Sequence, residues 1–227
     1  MKQIIIISLL IYSILLSIFF GYMQCENAKD IVKLKQRKPA KEPYTIIYNA
    51  SFDKEFIRIN LRHAMRFHKR KMSEGKIYYI TEVLFAGQNK FDIDARDIIA
   101  IMSIESEFKI KAKGKNKKST DYGLTQINSR NWTRLTKSSV KVLKEYNLPH
   151  GSKYNKYDIG INIMNCFVYF NWTKHATNYK RTRNKMRWVQ SYNVGLAGSV
   201  SKKRGYRVAR AKYWKKFVKH RKRLFRR

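Results

Sequence analysis

Glu105 is the residue of this chain placed where a carboxyl group could do chemistry. Ile98, Ile101, Met102, Glu105 and Phe108 recur at the spacing of one α-helical stripe, so Glu105 falls on the side that buries hydrocarbon while Glu107 points away. Asp94 suits the N-cap of that helix, and Asp97 three residues on suits the positive end of its dipole. In water a glutamate titrates at pH ~4.3. Partial burial penalises its charged form and raises the pKa toward the range where the acid still donates a proton, which is what a general acid requires. The stripe alone also fits a glutamate ion-paired at the helix end by one of the lysines that follow, and such pairs are commoner than catalytic acids.

A second polar cluster runs from Ser119 to Trp132, STDYGLTQINSRNW. Gly123 and its polar neighbours read as a turn or short irregular strand held to the core by Leu124 and Ile127. Such a loop could present Gln126 and Asn128 to a ligand, and it equally fits an ordinary turn. The third cluster is SYNVGLAGSV, where Gly195 and Gly198 permit a tight departure from a helix expected over Lys185 to Tyr192. Cys25 and Cys166 make neither a disulfide framework nor a metal site, and Cys166 reads as a buried small hydrophobe. His63 and His68 have no carboxylate or cysteine cluster nearby and read as surface or packing residues.

Helices must position these clusters. The pattern predicts them over Asp53 to Lys71, with Phe56, Ile59, Met65 and Phe67 available for packing, and over Ile77 to Phe85, Ser138 to Tyr146 and Asp158 to Thr177. In the last of these Ile159, Ile163, Cys166, Phe167 and Phe170 share one face, an aromatic core stripe that needs no cofactor to explain it. The run KIKAKGKNKKS after Phe108 is a lysine-rich loop. From Ser201 to Arg227 a tail of Lys and Arg is interrupted by Tyr206, Val208, Tyr213, Trp214, Phe217, Val218, Leu224 and Phe225, which could pack on the domain or lie on an anionic surface.

The 227 residues are 44% hydrophobic and 14% aromatic, ample for a core. Lys+Arg number 50 against Asp+Glu 15, a formal net charge of +35 that calls for an anionic partner: nucleic acid, a membrane surface or a wall polymer. After Lys2 no charged residue occurs until Glu26, so residues 1–25 are expected to be a signal peptide or membrane anchor. Cys25 directly after the apolar run offers lipidation as an alternative, with simple secretion as another. Residues 26–48 read as a basic linker, 49–75 as a helical extension, 76–215 as the domain and 216–227 as a basic tail.

Three ordered elements resemble one family. Ile104-Glu105-Ser106-Glu107-Phe108 is similar to the ESxF element of soluble lytic transglycosylases, Gly123-Leu124-Thr125-Gln126-Ile127 to their GLMQI, and Tyr192-Asn193-Val194-Gly195 to their YNAG, with Asn162-Ile163 at their N-I helix start. The wording around Gly123 looks most like the specialised enzymes of secretion and conjugation machines. The resemblance implies an all-α, goose-lysozyme-like fold, with small β elements allowed, that cleaves the MurNAc to GlcNAc β-1,4 bond of peptidoglycan to an anhydro product, without cofactor or metal. It makes Glu105 the single catalytic acid/base, has Gln126, Tyr192 and Asn193 bind the sugar or Glu105, and has Ser106 arrange the glutamate. Thr125 stands where the family usually has methionine against the sugar. Goose-type lysozymes carry an aspartate in the loop that holds Asp121, and a second carboxylate could activate water, so hydrolysis by Glu105 and Asp121 is the alternative. A basic protein binding nucleic acid or anionic lipid is the rival from another class. The enzyme reading places the protein on the periplasmic side of a bacterial envelope, with peptidoglycan, an anionic membrane surface or a secretion machine as partners and no specific nucleic acid.

Overall fold

The architecture follows from one helix that is apolar on every side. In a computed structural model the described residues are 50–116, 119–175, 188–193, 195 and 201–225; the amino-terminal apolar run, Cys25, the basic linker and Gly198 lie outside them. The elements in chain order are α1 (Ala50–Phe67), α2 (Glu74–Phe91), α3 (Ala95–Glu105), β1 (Lys113–Asn116), β2 (Ser119–Tyr122), β3 (Ile127–Asn128), α4 (Ser129–Glu145), α5 (Ile159–His175) and α6 (Arg204–Phe225). Residues 188–193 are also helical. The fold is thus mostly α, with one small antiparallel sheet in the order β1-β2-β3, as the resemblance implies. No helix among the described residues is long and apolar enough to cross a membrane.

In α3, Ile98, Ile99, Ala100, Ile101 and Met102 are all fully buried, because α1, α2, α5 and α6 pack around it. Its start matches the sequence expectation: the Asp94 carboxylate accepts from the Arg96 N–H at 2.9 Å. Its end does not extend to Phe108. Ser106 is the C-cap, and Glu107 (φ 51°) and Phe108 (φ 62°) adopt the left-handed conformation, which reverses the chain so that Phe108 is buried while Glu107 is exposed.

The two flanks expected outside the domain share its core. In α1 the buried face is Ile57, Leu61, Ala64 and Met65, at helical spacing, whereas Ile59, expected to pack, is 50% exposed. The boundary expected at residue 216 falls inside α6, where Tyr213, Phe217 and Leu224 are buried against the domain. Helix α4 begins well before Ser138, because Asn128 caps it by accepting from the Arg130 N–H at 3.1 Å.

Polar contacts fix the register of α6 on α3. The Arg221 guanidinium meets the buried Asp97 carboxylate at 2.7 Å and Asp94 at 2.9 Å. A buried pair of this kind specifies one packing more than it stabilises. The Ser103 hydroxyl bridges two imidazoles, 2.6 Å from His68 Nε2 at the end of α1 and 3.0 Å from His220 Nδ1 on α6. The two rings stack 6.3 Å apart.

Burial holds both imidazoles below the ordinary histidine range. Arg70 and Arg223 add to this at His68 against the opposing pull of Glu107, and Lys216, Lys219 and Arg223 add to it at His220. The unfolded chain therefore binds protons that the folded one refuses, so stability falls as pH drops below about 6.5. Thermal unfolding at pH 7.5 and 5.5 checks this: the melting temperature of the wild type should fall more than that of the His68→Gln/His220→Gln double variant. Equal falls contradict it.

Candidate active site

The site is built where the end of α3 meets the loop between β2 and β3. The Ser106 hydroxyl donates to the Leu124 carbonyl at 2.6 Å and also lies 3.1 Å from the Met102 carbonyl, tying that loop to the helix that carries Glu105. From the other side Asn162, buried in the first turn of α5, clamps the same loop. Its Oδ1 accepts from the Thr125 N–H at 2.8 Å and from the Thr125 hydroxyl at 2.9 Å, and its Nδ2 donates to the Tyr122 carbonyl at 2.8 Å. Gly123 makes this approach feasible: its φ is +77°, and a Cβ there would lie 2.3 Å from Asn162 Nδ2. A third tie comes from Tyr192, whose hydroxyl donates to the Thr125 carbonyl at 2.5 Å. Gln126 is held left-handed (φ 53°), with its amide donating to the Gly123 carbonyl at 2.8 Å. Strain at Glu107, Phe108 and Gln126 is of a kind that persists only where surrounding contacts over-determine the backbone.

The result is a cleft of about 220 Å³ whose walls include Glu105, Asp121, Gln126, Tyr192 and Asn193. Five residues from three separate stretches of the chain are thereby brought together. Ser106 is not among them: it is buried beneath the cleft and acts on the loop. Thr125 is fully buried too, so its departure from the family's methionine falls on the hydrogen bonding to Asn162, not on the cleft wall. Asn128, Asn131 and Tyr169 complete the polar lining. The Tyr169 ring stands edge-on to Tyr192, centroids 5.4 Å apart.

Glu105 is partly exposed at the end of α3, and its Oε1 accepts a hydrogen bond from the Tyr213 hydroxyl at 2.5 Å. Burial is the largest influence on its carboxyl and pushes the pKa up; the Tyr213 hydrogen bond and the Lys216 ammonium pull it back, and Asp121 pushes it up. The net shift is upward. The negative end of the α3 dipole acts in the same direction. Tyr213 itself is pushed well above the ordinary tyrosine range, first by burial and then by Glu105, so it remains a neutral donor. Lys216 also donates to the Ile104 carbonyl at 3.4 Å, at the carboxyl end of the same helix. Asp121 lies on β2, its Oδ1 accepting from the Asn128 amide at 2.7 Å. Cys166 is fully buried behind Tyr192, and burial raises its thiol pKa, as suits a packing residue.

Sequence reasoning missed Tyr213 as a site residue. Its spacing with Phe217 and Leu224 marks a buried helical face, but no local signal says that this face meets Glu105 across 108 positions. His68 reads from the sequence as a surface or packing residue, and its ring tilts against Phe108, but its link through Ser103 to His220 has no local signal.

A 13C titration of the Glu105 carboxyl should give a pKa above an ordinary glutamate's. Tyr213→Phe should move it further up, because a bond favouring the charged form is lost; Asp121→Asn should move it down, because a repelling charge is lost. Shifts of the opposite sign contradict the account.

A family model for the transglycosylase SLT domain matches residues 82–215, which is 134 of the 227 residues. A comparison with curated proteins finds none that matches. The matched span begins within α2 and ends within α6 just after Tyr213, so it takes in every cleft residue described above. The chain belongs to the transglycosylase SLT domain family, the lytic transglycosylases, which are lyases that act on the peptidoglycan of the cell envelope.

Proposed function

We propose that the protein cleaves the β-1,4 bond from MurNAc to GlcNAc with Glu105 as its only acid/base and leaves a 1,6-anhydromuramyl end. The observation that carries this reading is a carboxyl of raised pKa on the cleft wall, one oxygen of which is taken by Tyr213. Because the phenol donates to Oε1, the acidic proton of Glu105 sits on Oε2. Oε2 protonates the glycosidic oxygen as its bond to the anomeric carbon breaks. The carboxylate then takes the proton of the 6-hydroxyl on the same sugar, and that oxygen closes the ring onto the anomeric carbon. One carboxyl suffices, since the nucleophile is already part of the substrate and no water has to be activated.

The remaining residues divide by where their polar atoms point. Gln126 and Asn193 offer amides to the sugar along the cleft. The Tyr192 hydroxyl is engaged with Thr125, so Tyr192 presents its ring to the cleft and steadies the loop, while Ser106 performs the same service from α3. Tyr213 is a positioning residue for Glu105.

Hydrolysis is the second reading, because Asp121 lines the same cleft and raises the Glu105 pKa. Its Oδ1 is held by Asn128, which favours a fixed wall over a base that exchanges protons with water. For the rest of the chain we propose that residues 1–25 bring the domain to the outer face of a membrane as a signal, an anchor or, through Cys25, a lipid attachment. The cationic surface then favours anionic wall or membrane, beside a secretion or conjugation machine.

Clearing of purified peptidoglycan separates the readings. Glu105→Gln should slow clearing by about 10²- to 10⁴-fold, the range for removing a general acid. Asp121→Asn should stay within about tenfold of the wild type on the same scale. Clearing unchanged by Glu105→Gln removes the catalytic assignment, and an Asp121→Asn loss as deep as that of Glu105→Gln favours hydrolysis.

A further inference from the structure

A second concavity, of about 760 Å³, lies beside the cleft along the seam between α4 and α5. Leu135 lines both, so the two are neighbours. Aromatic rings run from one into the other: Tyr169, on the cleft wall, stands edge-on to Trp172 with centroids 5.7 Å apart, and Trp172 is 39% exposed within the groove. Exposed on the outer side of a helix that is otherwise core, Trp172 joins Phe91, Val142 and Val168 in one apolar patch.

Apolar atoms of Phe91, Val142, Val168 and Trp172 form the floor of the groove, and charges rim it. The Glu145 carboxylate is held by the Lys90 ammonium at 2.7 and 2.8 Å, so that pair is internally balanced. Arg134 and Lys141, both exposed, give the rim a positive bias. Arg134 stacks its guanidinium over the Trp172 ring at 4.3 Å and donates to the Asn131 side chain at 3.3 Å; Asn131 lines the cleft. One arginine therefore connects the two concavities.

A neutral sugar could stack on Trp172 but would leave the Arg134 and Lys141 cations without a counter-charge. The anionic part of peptidoglycan is the short peptide hung on the lactyl group of each muramyl residue, with aliphatic alanine side chains and free carboxylates. A stem on a sugar seated in the cleft has to leave sideways, and the groove lies next to the cleft wall at Leu135, with its rim residue Arg134 bonded to Asn131 of that wall. We propose that this groove binds the peptide stem, with Trp172 and the apolar floor taking its aliphatic part and Arg134 and Lys141 its carboxylates. The proposal rests on the peptidoglycan reading above and adds to it the part of the substrate that confers preference for stem-bearing strands.

The test uses the full chain and a ligand it cannot cleave, a single N-acetylmuramyl sugar bearing its peptide, titrated calorimetrically against the wild type, Trp172→Ala and Arg134→Glu/Lys141→Glu. Both variants should weaken binding by about tenfold, or 1.4 kcal/mol, while N-acetylglucosamine, which has neither the lactyl group nor the peptide, should bind all three proteins alike. Affinity for the muramyl peptide unchanged in both variants overturns the proposal. So does an equal loss toward the peptide-free sugar, which reports a damaged cleft. Hydroxyl-radical footprinting adds an independent arm: Trp172 should be oxidised in the free enzyme and protected by the muramyl peptide. Protection already present without ligand means that the chain itself covers the groove, and overturns it as well. None of these readouts needs turnover, so failure of the cleavage chemistry would show in the clearing assay and leave them interpretable.

Discussion

The hydrogen bond from the Tyr213 hydroxyl to Glu105 Oε1 ties the carboxyl at the end of the most buried helix to the last helix of the domain. It balances two opposed demands. Enclosure among apolar residues raises the carboxyl's pKa, which suits a proton donor, but an ionised carboxylate abandoned there would be costly. A neutral donor at 2.5 Å supports the charged form without introducing a cation strong enough to strip the carboxyl of its proton. Lys216 supplies a weaker pull from the edge. Polar contacts of Arg221 with Asp97 and Asp94 and of His220 with Ser103, together with Phe217 buried in the core, fix the helix that carries Tyr213.

The loop from Tyr122 to Gln126 faces the same carboxyl and is held just as firmly, though by neutral groups. Ser106, Asn162 and Tyr192 reach it from three separate elements, and each uses a backbone carbonyl or N–H of the loop itself. A loop restrained in this manner can keep Gln126 in a left-handed conformation beside the cleft, with its amide groups aimed by the backbone rather than by packing. Substitution of the family's methionine by Thr125 is absorbed beneath the loop, where the hydroxyl adds to the Asn162 clamp.

Much of this was legible in the sequence, for physical reasons that differ from element to element. The Glu105 helix was legible because its period and its Asp94 cap are local properties. Gly123 was legible as a turn, and the comparison with a family supplied what periodicity could not, the partnership of Glu105 with Gln126, Tyr192 and Asn193 in one cleft. The contribution of α6 was not legible. Its buried residues are diluted by lysines and arginines into what looks like a solvated tail, and the contact that matters is made across the whole domain. Ile59 misled in the opposite direction: an apolar residue on a helix is not necessarily inward, and the true face of α1 is set by Ile57, Leu61, Ala64 and Met65. Phe108 was placed inward correctly but by a reversal of the chain, not by a further turn of helix.

The central claim is that a single carboxyl does the chemistry and that the oxygen attacking the anomeric carbon comes from the sugar. Digestion of peptidoglycan in 18O-labelled water, followed by mass spectrometry of the released muropeptides, reads that oxygen directly. The account predicts muramyl ends that carry no label and lack the elements of one water. A labelled oxygen at the reducing end of the product would contradict it and would assign the activation of water to this cleft.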